Sequence, residues 1–157
     1  DFICAAELIT PQAVNFMITH GKGLLCAAVL PEVSERLKLP PMANSQPDSY
    51  RTAFTVTVDH ESVHTGITAA ERSLTIRELV NPGSQATSFV RPGHVHTLVA
   101  KEGGVLRRAG HTEASVDLAR PVGVGGRELF FRRKKCYSGK QTKYRPMSRS
   151  REGDSYR

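Results

Sequence analysis

A continuous apolar run, Leu24-Leu25-Cys26-Ala27-Ala28-Val29, stands between two segments that each open on proline. Six apolar residues in succession leave no polar face. The run therefore reads as a buried strand of a sheet that needs cover on both faces. The flanking segments supply candidates for that cover. Thr10-Pro11 puts a capping hydroxyl before a proline at the first helical position. Val14, Met17 and Ile18 follow at helical spacing, and Gly21 fits the stop. Pro31 to Leu39 reads as a short helix with Val33 and Leu37 inward, ended by Pro40-Pro41, with a polar loop running on to Tyr50.

The rest of the chain keeps interleaving the two periods. Phe54-Thr55-Val56-Thr57-Val58 alternates as a half-buried strand. Thr68-Ala69-Ala70-Glu71 is a capping box that starts a helix through Ile76 and Leu79, closed by Asn81-Pro82-Gly83. His94 to Ala100 reads as a strand, Gly103-Gly104 as a turn, and Thr112 as the cap of a helix with Val116 and Ala119 on one face. Phe2-Ile3-Cys4-Ala5-Ala6 is strand-like immediately after Asp1, so a segment before Asp1 is expected to be missing. The fold class expected is α+β: a three-layer α/β/α sandwich with a mixed sheet, incomplete at both ends. Residues 1–126 form the expected domain. Residues 127–157 are expected to be a basic, disordered tail, because beyond Phe131 no apolar periodicity exists and Arg132-Arg133-Lys134-Lys135 is a charge run.

Charge follows the same division. The net charge of +7 looks like a nucleic-acid signal until it is located. Arg127–Arg157 hold 11 of the 22 Lys and Arg but only 3 of the 15 Asp and Glu, leaving 11 basic and 12 acidic groups for the rest. The body is near neutral, and no specific nucleic acid is expected as a partner. Cys4, Cys26 and Cys136 are odd in number and widely spaced, which argues against a disulfide framework or a Cys-x-x-Cys knuckle and suits thiols in a reducing cytosol. No apolar run approaches the length of a membrane span, and no signal peptide opens the chain.

Three clusters are able to carry chemistry. In Arg107-Arg108-Ala109-Gly110-His111-Thr112-Glu113 a helix begins at the end of a loop, so backbone N–H groups and the positive end of the helix dipole face that loop. Gly110 permits a close backbone approach, the arginines add charge-assisted bonds and Thr112 a hydroxyl. Together they suit a phosphate monoester, with His111 beside it to bind a metal or move a proton. The same run also fits a capped helix with surface arginines. In Arg91-Pro92-Gly93-His94-Val95-His96, the two histidines share a face if the segment is a strand. They read either as a two-histidine metal arm or as one functional or buried histidine beside an exposed one. Thr65-Gly66-Ile67-Thr68-Ala69-Ala70-Glu71-Arg72 is a hydroxyl-rich loop entering a helix, and by itself a capping box.

Taken in order, these clusters resemble one family. Arg91-Pro92-Gly93-His94-Val95 followed by Gly103 to Ala114 is similar to the signature of 3,4-dihydroxy-2-butanone 4-phosphate synthases. The Phe54–Val58 and Thr65–Arg72 segments resemble the family's central part, and Asp1–Glu7 the stretch that starts at the last aspartate of its acidic loop. The resemblance runs colinearly from Asp1 to about Arg120. It implies a lyase of riboflavin biosynthesis that converts D-ribulose 5-phosphate to L-3,4-dihydroxy-2-butanone 4-phosphate and formate. It further implies a Mg²⁺ or Mn²⁺ cofactor, a cytoplasmic location and a homodimer with active sites at the subunit interface. The implied roles are His94 as catalytic acid/base and His111 as metal ligand. Asp1, Arg108, Ala109, Gly110, His111 and Thr112 would bind substrate, and Thr65 and Thr68 are further pocket candidates.

Two departures stand beside the resemblance. The family's metal-binding glutamate would lie before Asp1. Its second essential glutamate normally follows the helix after Arg120, where this chain reads Pro121-Val122-Gly123-Val124-Gly125-Gly126, with Glu128 in a different context. The chain as it stands is therefore expected to release no measurable formate. The competing readings are an inactive fragment of the enzyme, or a phosphate-binding protein with a nucleic-acid-attracting basic tail.

Overall fold

The computed structural model describes residues 2–42, 53–119 and 129–133, the last through its backbone. In chain order the elements are β1 (Phe2–Ala5), α1 (Pro11–Gly21), β2 (Leu24–Val29), α2 (Pro31–Arg36), β3 (Val58–His60), α3 (Ala69–Val80), β4 (Phe89–Val99), α4 (His111–Ala119) and β5 (Leu129–Arg133). One-turn 3₁₀ segments lie at Ala6–Leu8, Ala86–Ser88 and Gly104–Leu106. The strands form one mixed sheet in the order β1-β5-β2-β4-β3. β2 and β4 are parallel, with Cys26 opposite His96 and Val29 opposite Val99. β5 is antiparallel to β1 and β2, and β3 is antiparallel to β4.

The apolar run of β2 meets two layers, as its lack of a polar face requires. Leu25 and Ala27 join Ile9, Val14, Met17, Leu37, Ile76 and Leu79 in one core, which takes in α1 and α3. Ala28 joins Leu30, Ala100 and Val116 of α4 in another, and Cys26 packs with Leu98 and Phe54. Alternate residues of β2 thus face opposite layers, which gives the expected α/β/α arrangement around a mixed sheet.

Local signals hold these layers in place. Thr10 Oγ1 accepts from the Ala13 N–H at 3.1 Å, with Pro11 opening α1. Gly21 is the last helical residue, and the left-handed cap falls one residue later, on Lys22 at φ 50°. The Thr68–Glu71 capping box is formed in both directions at the start of α3. At the other end of α3, the Arg36 guanidinium donates to the carbonyls of Leu79 (3.2 Å), Asn81 (3.2 Å) and Ser84 (2.5 Å), so a side chain from α2 satisfies acceptors that a helix terminus leaves open.

The structure differs from the sequence expectations in several places. β4 starts at Phe89, five residues before the expected His94, and ends at Val99. α2 stops at Arg36 because the chain turns through Lys38 at φ 51°, although Leu37 is fully buried as expected. The paired strand near Phe54–Val58 is Val58–His60. Phe54 and Thr55 make only isolated bridges, to Leu98 and Pro41, since this segment follows β4 with intermittent bonds such as Thr55 N–H to the Thr97 carbonyl at 3.0 Å. α4 begins at His111 with its first turn bonded from Ala114 N–H to the Gly110 carbonyl at 3.0 Å, so the capping position belongs to Gly110 and Thr112 lies buried within the helix. Finally, Leu129–Arg133 of the expected disordered tail is strand β5. It fills the place between β1 and β2, where each would otherwise present unpaired backbone groups to the other. The remainder of that tail lies outside the described residues.

Candidate active site

His94 owes its position to an irregularity in β4. Val95 pairs with Val58 while Val90 pairs with Asp59, so Arg91 to His94 bulge out against a single step of β3. Bulges of this kind re-aim a side chain. Gly93 lies so close to β3 that a Cβ would run into the Val58 carbonyl carbon, and its N–H donates to the Thr57 carbonyl at 3.1 Å. The next residue, His94, meets Asp59 twice. Its backbone N–H donates to Oδ1 at 2.9 Å, and its ring Nδ1 lies 2.7 Å from Oδ2. Asp59 is nearly buried, whereas the His94 side chain is 42% exposed. Gly66, at φ 73°, packs against the Asp59 carboxylate, where any Cβ would collide with Oδ2.

His96 has different surroundings. It stacks edge-on to Phe54 at 6.3 Å, and its Nδ1 is buried without a hydrogen-bond partner among the described residues. Burial, aided by the Arg72 charge, lowers its pKa. The two histidines read as sharing a strand face therefore have separate partners. Among the described residues no group of three or more His, Cys, Asp or Glu side chains is placed to hold a metal ion.

The Arg107–Glu113 run is built around a glutamate. Glu113 is fully buried, and its Oε1 accepts from the Lys101 N–H at 2.9 Å and from Arg108 Nη1 at 3.1 Å. Arg108 is thereby drawn along the loop, and a Cβ on Gly110 would meet Glu113 Oε2. Gly103 and Gly104 take φ values of 87° and 61° in the turn before the loop, which favours glycine. The α4 N-terminus points its N–H groups back at Arg107–Gly110, with His111 exposed at the first helical position.

Thr65 and Thr68 converge on Glu71. Both hydroxyls donate to Glu71 Oε2 at 2.9 Å, and the backbone N–H groups of His64 and Thr65 donate to Oε1 at 2.9 and 3.1 Å. The Thr68 hydroxyl first, then the Thr65 hydroxyl and the Thr65 and His64 N–H groups, pull the Glu71 carboxyl down to a pKa of about 2 against its own desolvation. Asp1 lies outside the described residues.

A family model for 3,4-dihydroxy-2-butanone 4-phosphate synthase matches residues 1–129. The chain belongs to this family. It is 60% identical over 124 residues to the riboflavin biosynthesis protein RibBA of Bacillus mycoides (strain KBAB4), an alignment that covers 79% of this chain and 31% of that protein. The RibBA of Bacillus cytotoxicus (strain DSM 22905 / CIP 110041 / 391-98 / NVH 391-98) is 57% identical over 129 residues. The chain thus spans about a third of the length of the curated relatives it matches. Among solved structures, a 3,4-dihydroxy-2-butanone 4-phosphate synthase in complex with two magnesium ions superposes with a TM-score of 0.77 at 44% identity, covering 83% of this chain and 61% of that one. RibBX, a two-domain synthase from A. baumannii, gives 0.77 at 39% identity, covering 83% and 38%.

For a synthase of this family, the described residues offer a divalent cation one candidate donor of the expected set, the exposed imidazole of His111. Magnesium prefers a shell of oxygens and keeps several waters. A lone imidazole does not by itself fit that preference, so the described residues do not form a metal site on their own. Two groups that contact the candidate residues are not evident from the sequence. Asp59 lies one residue past the alternating Phe54–Val58 segment, and an acidic residue between Val58 and His60 is its only sequence signal. Glu113 lies within the Arg107–Glu113 run, but nothing in the spacing shows that it turns inward to Arg108.

Proposed function

We propose that this chain forms the ribulose 5-phosphate site of a lyase that releases formate and L-3,4-dihydroxy-2-butanone 4-phosphate. The observation that carries the reading is the Arg108–Glu113 pair at the start of α4. It sets a guanidinium beside a glycine and a helix N-terminus, the combination a phosphate monoester needs. Arg108, Ala109, Gly110, His111 and Thr112 bind the phosphate end, and its binding energy positions the reacting end. His94 removes the proton next to the substrate carbonyl, and Asp1 contacts substrate hydroxyls. His111 would hold a Mg²⁺ or Mn²⁺ ion, which when bound would supply Lewis-acid stabilisation of developing negative charge. The hydroxyls of Thr65 and Thr68 are engaged by Glu71, so these residues shape the pocket wall.

His94 stands five residues before the end of β4, about 16 Å along the strand at ~3.3 Å per residue, and the phosphate loop begins beyond that end. This separation supports a site shared between the subunits of a homodimer. The protein works in the cytoplasm, with neither membrane nor specific nucleic acid as partner.

The test is calorimetry of ribulose 5-phosphate binding to the full chain with magnesium present. A charge-assisted contact contributes about 1.5–3 kcal/mol, so Arg108→Ala weakens binding roughly ten- to a hundredfold at ~1.4 kcal/mol per decade. Unchanged affinity in the variant, or no binding by the parent chain, overturns the proposal.

A further inference from the structure

The Asp59 carboxylate engages His94 with both oxygens, and the two bonds differ in kind. Oδ1 takes the His94 backbone N–H at 2.9 Å, a donor that is permanent. Oδ2 lies 2.7 Å from Nδ1, a ring atom that is donor or acceptor according to the tautomer. A carboxylate only accepts, so Nδ1 must carry the proton. The neutral ring then has its lone pair on Nε2, which no group bonds among the described residues, on a side chain that is 42% exposed. Packing holds the carboxylate in place: Gly66 abuts Oδ2 where no larger residue fits, and Asp59 is nearly buried.

We infer that Asp59 is a positioning residue that fixes the Nδ1–H tautomer of His94 and so directs Nε2 to the substrate as the proton acceptor. The inference rests on the function proposed above for what Nε2 does, but the tautomer itself is independent of it. The double engagement also makes the effect of one substitution specific. In Asp59→Asn the amide has a single oxygen, and the backbone N–H of His94 claims it. The amide NH₂ then faces Nδ1, which must accept, and the ring proton moves to Nε2. The variant keeps the shape of the pair and reverses the ring, so His94 presents a donor where it presented a base.

The experiment is ¹⁵N NMR of the histidine ring nitrogens in the full chain, with His94 assigned by comparison with His94→Gln. The parent chain at a pH where His94 is neutral shows Nδ1 protonated and Nε2 bare, and Asp59→Asn shows the reverse. Ribulose 5-phosphate calorimetry on both proteins accompanies it, so that binding and tautomer are read separately. An Nε2–H tautomer in the parent chain overturns the inference, whether or not the variant folds. An unchanged ring in a folded Asp59→Asn does the same. A reversed ring in a protein that never binds ribulose 5-phosphate supports the positioning role and overturns the proposed function alone.

Discussion

Arg108 and Glu113 are joined at 3.1 Å, with the arginine side chain 21% exposed and the glutamate fully enclosed. A carboxylate that has left water needs partners, and Glu113 Oε1 has two, Arg108 and the Lys101 N–H. Glu113→Ala removes the acceptor that both use, one of them a charge. The expected loss of stability is about 3–5 kcal/mol, the usual cost of breaking a buried pair from one side. Glu113→Gln keeps an acceptor for Lys101 and loses less. Urea denaturation reads both, and a loss below about 1 kcal/mol in the alanine variant contradicts the assignment.

Gly66→Ala tests the support behind Asp59. The backbone there sits at φ 73°, and the added methyl enters the space of the carboxylate. Strain of this kind costs about 1–3 kcal/mol. A thermal melt should show a Tm lower by several degrees, roughly 2–8 °C per kcal/mol. An unshifted melting curve means that the loop carries the methyl without cost.

Glu71 predicts a pH dependence of known sign. Its folded pKa, about 2, lies below the ordinary 4.5. The stability it contributes is therefore complete above about 4.5 and is lost as pH falls from there towards 2. NMR titration of the Glu71 carboxyl carbon should give a midpoint near 2. Glu71→Gln should flatten the acid limb of a stability–pH curve over the same window. A midpoint at the ordinary value shows that the loop bonds do not persist in solution.

His94 and His111 should separate in a magnesium titration of ribulose 5-phosphate affinity. His111→Ala should raise the magnesium needed by at least about tenfold, because groups merely supporting a ligand already contribute 10–100-fold. His94→Ala should leave that requirement alone. If both variants shift it equally, the His94–His96 metal arm becomes the better account.

Much of this was legible in the residues because the signals are local. Thr10-Pro11, the Thr68–Glu71 box and the face-less run of β2 each specify their own element, and all three are formed. What the sequence hid is non-local. The strand expected at Phe54–Val58 forms three residues' worth of regular pairing further on, since its ladder depends on where β4 bulges. Thr112 resembled a cap because hydroxyls often cap, yet Gly110 takes that place and Thr112 goes inward. Asp59 and His94 are 35 positions apart, and only the pairing of β3 with β4 brings them together.

The order of the sheet also governs when it is completed during synthesis. β1 is made well before its partner β5, which begins 124 residues after β1 ends. β2 shares that partner on the same side. A nascent chain that has not yet delivered Leu129 holds two early strands with facing vacant edges, which are the surfaces by which strands capture neighbouring chains. Closure of this sheet thus waits for β5, and the interval before it is when the polypeptide most needs shelter from its own copies.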